Sequence, residues 1–187
     1  MTPARLGLFG GTFDPPHLGH VAALRAAAAL GRFELIEVTV AGDPYLKGGG
    51  VRPTLERLEM AHAAFDGLEL VRVSDREIRR SGPSYTIDSV RELLDTTAQV
   101  DLIVGADLTD QLDGWREAAA LRELVEVGVV PRPGGGAVHL RGWRYFEIPM
   151  TPVDLSSTFI REIAPDLENL RRYLPEDVIP FFVGTRG

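Results

Sequence analysis

Short apolar runs alternate along the chain with longer segments in which apolar residues recur at helical spacing. Such runs are typical of buried strands, and the longer segments are typical of helices. The predicted strands cover residues 6–9, 35–40, 68–73, 100–104, 125–130 and 145–148; the predicted helices run to about residue 30 and over 54–65, 86–94 and 115–123, with two more C-terminal helical segments. Strands separated by helices predict an α/β fold with a mostly parallel sheet and helices on both faces. The 187 residues suit one domain spanning 1–187.

The edge of this sheet predicts where ligands bind. In open parallel sheets, ligands lie beyond the carboxyl ends of the strands. The loops after Phe9, Val40, Val73 and Val104 are therefore the places where functional residues are expected.

The first of these loops reads GGTFDPPHLGH over residues 10–20 and leads into an alanine-rich helical segment. The first turn of a helix presents free N–H groups and the positive end of the helix dipole, so an anion fits there. Gly10 and Gly11 allow close approach of a phosphate to the backbone, and Thr12 adds a hydroxyl donor. His17 and His20 share one face if the helix includes both.

Other interpretations of this loop fit less well. The loop lacks the Gly-Lys-Ser/Thr of a Walker A motif and the three-glycine dinucleotide fingerprint. Zinc is a weaker interpretation, because the chain has no cysteine and His62 and His139 have no ligand-like spacing to the first pair. Two surface histidines at a helix start are the simplest alternative to a phosphate site.

The string His17-Leu-Gly-His20 closely resembles the His-x-Gly-His signature of the nucleotidyltransferase superfamily, and the longer string from Gly10 is most similar to nicotinate mononucleotide adenylyltransferases. The resemblance implies a Rossmann-like fold in which two catalytic histidines contact the ATP phosphates and stabilise the transition state. The ATP-binding residues that it implies in this loop are Gly10, Gly11, Thr12, Phe13, His17 and His20.

The loop after Val40 reads Ala-Gly-Asp-Pro-Tyr-Leu-Lys, ending at Lys47. A lysine there can place a charge on a second phosphate, although a solvated loop lysine is the simpler interpretation of the loop alone. The family typically has Pro-Pro-His-Lys, and this chain keeps only the proline and the lysine. The resemblance implies that Lys47 and Asp14 lie near the mononucleotide phosphate or its metal ion.

The loop after Val73 leads through a Gly-Pro-Ser turn into the helix that begins near Thr86. Ser84 or Thr86 can cap this helix, and its free N–H groups can instead bind a ligand carboxylate; the residues alone leave both open. The string from Ser84 to Asp88 resembles the nicotinate-binding segment of the family, which implies that Tyr85 and Thr86 lie against the pyridine ring.

The run that ends at Val104 is followed by Gly105-Ala-Asp107 and, further on, by Trp115 in a polar neighbourhood. Asp107 can accept hydrogen bonds from ribose hydroxyls, or it can cap a helix. An indole can stack on a pyridine ring, although a lone tryptophan more often serves packing. The resemblance implies that Gly105 and Asp107 bind ATP and that Trp115 stacks on the pyridine.

Near the C-terminus, three consecutive hydroxyl residues precede a helical turn with an arginine in it. They can form an anion seat with Arg161 pointing back to it, or an ordinary helix cap with an exposed arginine. The segment resembles the second ATP-binding motif of the superfamily, which implies that Ser156, Ser157, Thr158 and Arg161 bind ATP and that Arg161 is catalytic.

Charge and composition exclude several classes of partner and of chemistry. A formal net charge of −7 argues against a general nucleic-acid or anionic-membrane binder. The absence of cysteine removes disulfides and cysteine nucleophiles. No signal-peptide layout and no run long enough to span a membrane are found, so we expect a cytoplasmic protein.

The resemblance implies that the protein transfers an adenylyl group from ATP to nicotinate mononucleotide, with Mg²⁺ bridging phosphate oxygens and no metal held by the protein alone. The partners expected are therefore ATP and a pyridine mononucleotide. An acceptor such as nicotinamide mononucleotide or phosphopantetheine stays open, as do a silent nucleotide-binding protein and a homo-oligomer. An oxidoreductase is less favoured because the dinucleotide spacing is missing.

Overall fold

Six strands form one parallel sheet in the described part of the chain, which covers residues 4–43, 51–134, 138, 140–164 and 167–184 of the computed structural model. The strands are β1 (Arg5–Gly11), β2 (Leu35–Val40), β3 (Val71–Ser74), β4 (Gln99–Gly105), β5 (Val125–Val130) and β6 (Tyr145–Glu147). Their order in the sheet is β3-β2-β1-β4-β5-β6, and every neighbouring pair is parallel. The predicted α/β fold is confirmed.

Helices connect the strands and cover the sheet. They are α1 (Leu18–Ala29), α2 (Thr54–Phe65), α3 (Arg76–Arg79), α4 (Thr86–Leu94), α5 (Ala118–Leu124), α6 (Ser157–Ile163), α7 (Leu167–Leu170) and α8 (Ile179–Gly184), with 3₁₀ helices at Ala106–Gly114 and Glu176–Val178. No helix among the described residues is long and apolar enough to cross a membrane.

Apolar residues on the two faces of the sheet build two cores. Successive side chains of a strand point to opposite faces, and β1 accordingly sends Phe9 to one core and Leu8 to the other. The core around Phe9 is closed by α1 and α2, and the core around Leu8 is closed by α4 and α5. The helices therefore lie on both faces, as predicted.

A third apolar cluster joins the end of the chain to α2. Met60 on α2 packs with Ile160, Leu170 and Phe182, all of which are buried. This packing carries the C-terminal helices across to the side of the molecule on which α2 lies.

The strand order reverses next to β1. The chain builds β2 and β3 on one side of β1, and then crosses to form β4 on the other side. A crevice forms where connections leave in opposite directions, beyond the carboxyl ends of the strands. The loop after β1 therefore occupies the position where such folds bind ligands.

Two predicted elements begin three residues too early, at 68 instead of 71 and at 115 instead of 118. The strand expected over 68–73 covers Val71–Ser74, because residues 66–70 form turns and Leu70 takes a positive φ of 60°. The helix expected over 115–123 begins only at Ala118, because Glu117 has a left-handed backbone with φ 52° and ψ 41°. A 3₁₀ helix precedes it, and its three-residue turn does not give the 3.6-residue pattern used to find helices.

Candidate functional site

The loop after β1 is fixed from below by an aromatic side chain. Phe13 has a positive φ of 51°, and its buried ring contacts Phe65 at 5.4 Å and His20 at 5.2 Å between ring centroids. A Cβ on Gly11 would lie 2.7 Å from this ring. Glycine at position 11 therefore lets the loop fold over Phe13, whose ring belongs to the core.

His17 and His20 form a stacked pair at the start of α1. Their ring centroids lie 3.7 Å apart, and the ring planes are inclined by 24°. The backbone N–H of His17 donates to Nδ1 of His20 at 3.1 Å. An N–H aimed at Nδ1 requires a lone pair there, so the proton of a neutral His20 ring is assigned to Nε2. His20 is therefore oriented as an Nε2–H donor.

His17 is held neutral by its surroundings. Burial, followed by the positive charge of Arg132, lowers the pKa of His17 from 6.5 to about 4. The side chain is 2% exposed, and Nδ1 has no hydrogen-bond partner among the described residues. A Cβ on Gly19 would come within 3.0 Å of this nitrogen, so Gly19 keeps the space beside it open.

The C-terminal motif docks directly onto this loop. Arg161 donates from Nη1 to the carbonyl of Asp14 at 2.7 Å, and from Nη2 to Oγ1 of Thr158 at 3.1 Å. Ser157 donates from Oγ to the carbonyl of Pro15 at 2.9 Å. Ser156 is the N-cap of α6, and its hydroxyl accepts from the N–H of Phe159. Two motifs predicted from opposite ends of the chain are thus brought together.

Arg132, which the sequence did not single out, lies beside the predicted site residues. It follows β5, donates from Nε to Asp107 at 3.1 Å and donates from Nη1 to the carbonyl of Leu155 at 3.0 Å. Its charge also reaches His17. The sequence feature that could have identified Arg132 is its position just after a buried strand. The carboxyl edge of a parallel sheet is where ligands bind, so a cation there is expected to face a ligand.

Comparison with known proteins assigns residues 8–163 to one family model, described as cytidylyltransferase-like. The chain belongs to the cytidylyltransferase-like family. Among its curated relatives is a probable nicotinate-nucleotide adenylyltransferase of Shouchella clausii, 39% identical over 161 residues, with 84% of this chain and 83% of the relative covered. A probable nicotinate-nucleotide adenylyltransferase of Albidiferax ferrireducens is 36% identical over 166 residues, with 84% of each chain covered. These relatives confirm the resemblance seen in the sequence.

A solved structure confirms the fold. The Plasmodium falciparum nicotinic acid mononucleotide adenylyltransferase complexed with NaAD is similar to this chain with a TM-score of 0.82 and 18% identity, over 96% of this chain and 95% of the other. The same enzyme complexed with APC gives a TM-score of 0.80. The likeness at this identity concerns the arrangement of strands and helices.

Two of the predicted pyridine residues, Tyr85 and Trp115, pack against the same core on the α4 side of the sheet. Tyr85 is the N-cap of α4, and both Tyr85 and Trp115 pack against the core that α4 and α5 close. The guanidinium of Arg116 lies 4.6 Å above the Tyr85 ring. Nε1 of Trp115 is buried and has no hydrogen-bond partner among the described residues.

Two helix-cap interpretations are wrong. No side chain caps α4 within the described chain, and Oγ of Ser84 instead accepts from the N–H of Gly42 at 2.9 Å. This bond ties the third loop to the second. Asp107 lies inside the 3₁₀ helix, whose N-cap is Gly105, and its carboxylate accepts from Arg132. Thr86 is the first residue of α4.

Of the two residues predicted to lie near the mononucleotide phosphate, Asp14 is among the described residues and Lys47 is not. Asp14 is 2% exposed, and its carboxylate accepts from Nη1 of Arg52 at 2.8 Å and from the backbone N–H of Arg52 at 3.2 Å. Lys47 lies outside the described residues.

The site is rich in cations and poor in free carboxylates. Among the described residues, no group of three or more histidine, cysteine, aspartate or glutamate side chains could hold a metal ion. Asp14 is paired with Arg52 and Asp107 with Arg132. Arginine N–H donors suit phosphate oxygens. Mg²⁺ needs oxygen ligands and is commonly held through substrate phosphates.

Proposed function

We propose that the protein transfers the adenylyl group of ATP to nicotinate mononucleotide, giving nicotinate adenine dinucleotide and pyrophosphate. The observation that carries the proposal is the stacked His17–His20 pair with Arg161 docked on the same loop. The names of its relatives support the choice of acceptor.

The reaction is an in-line displacement at phosphorus. A 5′-phosphate oxygen of the mononucleotide attacks the α-phosphorus of ATP, the new P–O bond forms, and the bond to the bridging oxygen breaks as pyrophosphate leaves. Both reactants are anions, so the protein's task is to position them and to stabilise the charge that develops. No covalent enzyme intermediate is needed.

His20 and Arg161 supply donors to this charge. The Nε2–H of His20 is directed by the bond that the His17 backbone makes to Nδ1. A neutral His17 adds a hydrogen bond without a full charge. The other residues proposed for ATP are Gly10, Gly11, Thr12 and Phe13 through the first loop, Gly105 and Asp107 near the ribose, and Ser156, Ser157 and Thr158 in the C-terminal motif.

The acceptor is proposed to bind on the side of α4. Tyr85, Thr86 and Trp115 would hold the pyridine, and the free indole N–H of Trp115 is available as a donor. Lys47 would contact the mononucleotide phosphate, and Asp14 would act there through Arg52, its partner in the structure. Mg²⁺ would arrive with the triphosphate and neutralise part of its charge. Since ATP is the proposed co-substrate, we place the protein in the cytoplasm.

Pyrophosphate release tests the proposal. The purified protein is supplied with ATP and Mg²⁺, and nicotinate mononucleotide, nicotinamide mononucleotide and phosphopantetheine are offered separately. We expect the highest kcat/KM with nicotinate mononucleotide. A preference for either other acceptor would keep the ATP half of the proposal and overturn the acceptor half, and ATP binding without turnover would indicate a binding protein.

A further inference from the structure

Arg57 is a charged residue in the protein interior, where removing a charge from water costs free energy. It lies on α2, is 1% exposed and is among the largest fully buried side chains. Buried arginines are rare unless all their donors are satisfied. No carboxylate among the described residues bonds to it, and its partners are backbone carbonyls and one hydroxyl. They are the carbonyls of Thr12 (2.9 Å), Ala41 (2.8 Å), Arg52 (3.0 Å) and Gly42 (3.4 Å), and Oγ1 of Thr54 (3.0 Å).

These carbonyls belong to two loops at the carboxyl edge of the sheet. Thr12 lies in the loop after β1, and Ala41 lies in the loop after β2. One nitrogen of Arg57, Nη1, bonds to both carbonyls. Because the guanidinium is planar and rigid, it fixes the spacing of the two loops and the tilt of each peptide plane.

A relay of contacts leads from Arg57 to the C-terminal motif. Nε of Arg57 holds the carbonyl of Arg52, whose guanidinium holds the carboxylate of Asp14. The carbonyl of Asp14 in turn accepts from Arg161. A displaced Arg57 would therefore shift Asp14 and, through it, the seat of Arg161.

The donors of Arg57 do more than fill space in the core. An apolar side chain of similar volume would leave these buried carbonyls without a donor, at a cost in stability. What an apolar side chain cannot do is bond to carbonyls from separate loops. We propose that Arg57 is a positioning residue for adenylyl transfer, which holds the loops after β1 and β2 at the spacing that the two substrates need. The inference rests on the proposed function.

Two substitutions separate positioning from stability. Arg57→Lys keeps the charge and part of the donor set, whereas Arg57→Met keeps the volume and removes every donor. We expect kcat to fall in the order Arg, Lys, Met, with about a hundredfold loss for Met, the size expected of a small misplacement of reacting groups. Arg57→Met should also have the lower urea midpoint, since it leaves buried carbonyls unpaired, so kcat is measured without urea and per folded molecule. In that measurement, a kcat of Arg57→Met equal to that of Arg57→Lys or higher would overturn the inference.

A control arginine lies at the opposite edge of the sheet. Arg32 is bonded to Asp101 at 2.6 Å and to Glu126 at 2.5 Å, near the amino ends of the strands. We expect Arg32→Lys to lower the urea midpoint and to keep kcat within twofold of wild type. If Arg57→Met does not fold, the kcat of Arg57→Lys is compared with that of Arg32→Lys. An equal loss of kcat in the two variants would show that Arg57 acts only through stability.

ATP binding keeps the inference testable apart from the choice of acceptor. Calorimetric titration with the ATP–Mg²⁺ complex should show about tenfold weaker binding to Arg57→Met than to wild type, since Thr12 lies in the proposed phosphate loop. Equal affinities would overturn the inference. Absence of wild-type turnover with every acceptor, with this difference in affinity intact, would count against the proposed function alone.

Discussion

At the scale of residues, the charge of His17 matters for the stacked pair, because a neutral imidazole donates one ring hydrogen and carries no positive charge. His17 is buried and has a pKa of about 4, so it is neutral at pH 7. Its stacking partner His20 is held by the bond to Nδ1 and offers Nε2–H. His20 therefore presents a directed donor, and His17 adds no positive charge to the site.

Removing the His20 donor should slow the chemical step. We expect His20→Ala to lower kcat by about 10²–10³, as the loss of a donor to developing charge does elsewhere, with a much smaller change in KM for the mononucleotide. His62→Ala is the matched control, since His62 is exposed and pairs with Asp66 on the surface. An unchanged kcat in His20→Ala would remove His20 from the mechanism.

The low pKa of His17 makes stability depend on pH. Burial and Arg132 lower this pKa from 6.5 to about 4, so between these values the unfolded chain takes up a proton that the folded protein does not. The free energy of unfolding therefore falls as the pH decreases through this window. Between pH 7 and pH 4.5, wild type should lose about 2 kcal/mol more than His17→Gln does. Urea denaturation at the two pH values measures this difference, and parallel losses would contradict it.

The shared helix face expected if the helix includes both histidines is not what brings their rings together. His17 is the N-cap of α1 and has an extended backbone, with φ −140° and ψ 170°, and its ring stacks on that of His20 from this position. Nothing in the sequence showed that Arg57 would be buried, because a charged residue on an amphipathic helix is normally solvated. Its burial depends on carbonyls of the loops after β1 and β2, which only the folded chain brings together around it.

At the scale of elements, the boundaries that follow strong periodicity are predicted well. β2, α2, α4 and β5 begin and end where the sequence pattern placed them. The 3₁₀ helix Ala106–Gly114 and the short α3 were missed, because neither is long enough or regular enough to show a 3.6-residue period.

The loop after β2 packs against the backbone of α3 without room for a side chain at Gly42. A Cβ on Gly42 would lie 2.5 Å from the carbonyl oxygen of Glu77. We expect Gly42→Ala to lower the free energy of unfolding by about 1–3 kcal/mol, because backbone must move to admit the methyl group. Gly67→Ala is the control, with no atom within 4 Å of the new Cβ. Equal urea midpoints for the two variants would contradict this contact.

The end of the chain clamps the loop after β1 through one arginine. Arg52 pairs with Asp14, donates to the carbonyl of Phe182 at 3.2 Å and lies 4.1 Å above the Phe182 ring. Removing one partner of a buried ion pair leaves a charge without compensation. A double-mutant cycle of Arg52→Met and Asp14→Asn should therefore give a coupling free energy of about 1–3 kcal/mol in urea denaturation. Additive effects would show that the pair contributes no coupling.

Across the whole molecule, a buried carboxylate with two arginines lies at the amino edge of the sheet, opposite the candidate site. Asp101 is fully buried near the amino end of β4, where Arg5 and Arg32 bond to it. The histidines, Arg132 and Arg161 lie at the carboxyl edge. This division follows from the parallel sheet itself, whose carboxyl ends all meet on one side.

A substitution at the amino edge should therefore change stability alone. We expect Asp101→Asn to lower the free energy of unfolding by about 2 kcal/mol, since both arginines are partly exposed and Arg32 keeps Glu126. Under conditions where the variant is folded, kcat and KM should stay within twofold of wild type. A large kinetic change with intact folding would show that the two edges are coupled.

The contact of Arg52 with Phe182 can form only after nearly the whole chain has been translated. Phe182 is made 130 positions after Arg52, which takes about 7–26 s at ordinary rates of translation. Until α8 is free of the ribosome, the chain lacks the contact that steadies Arg52 against Asp14. The motif that is made first is thus completed last.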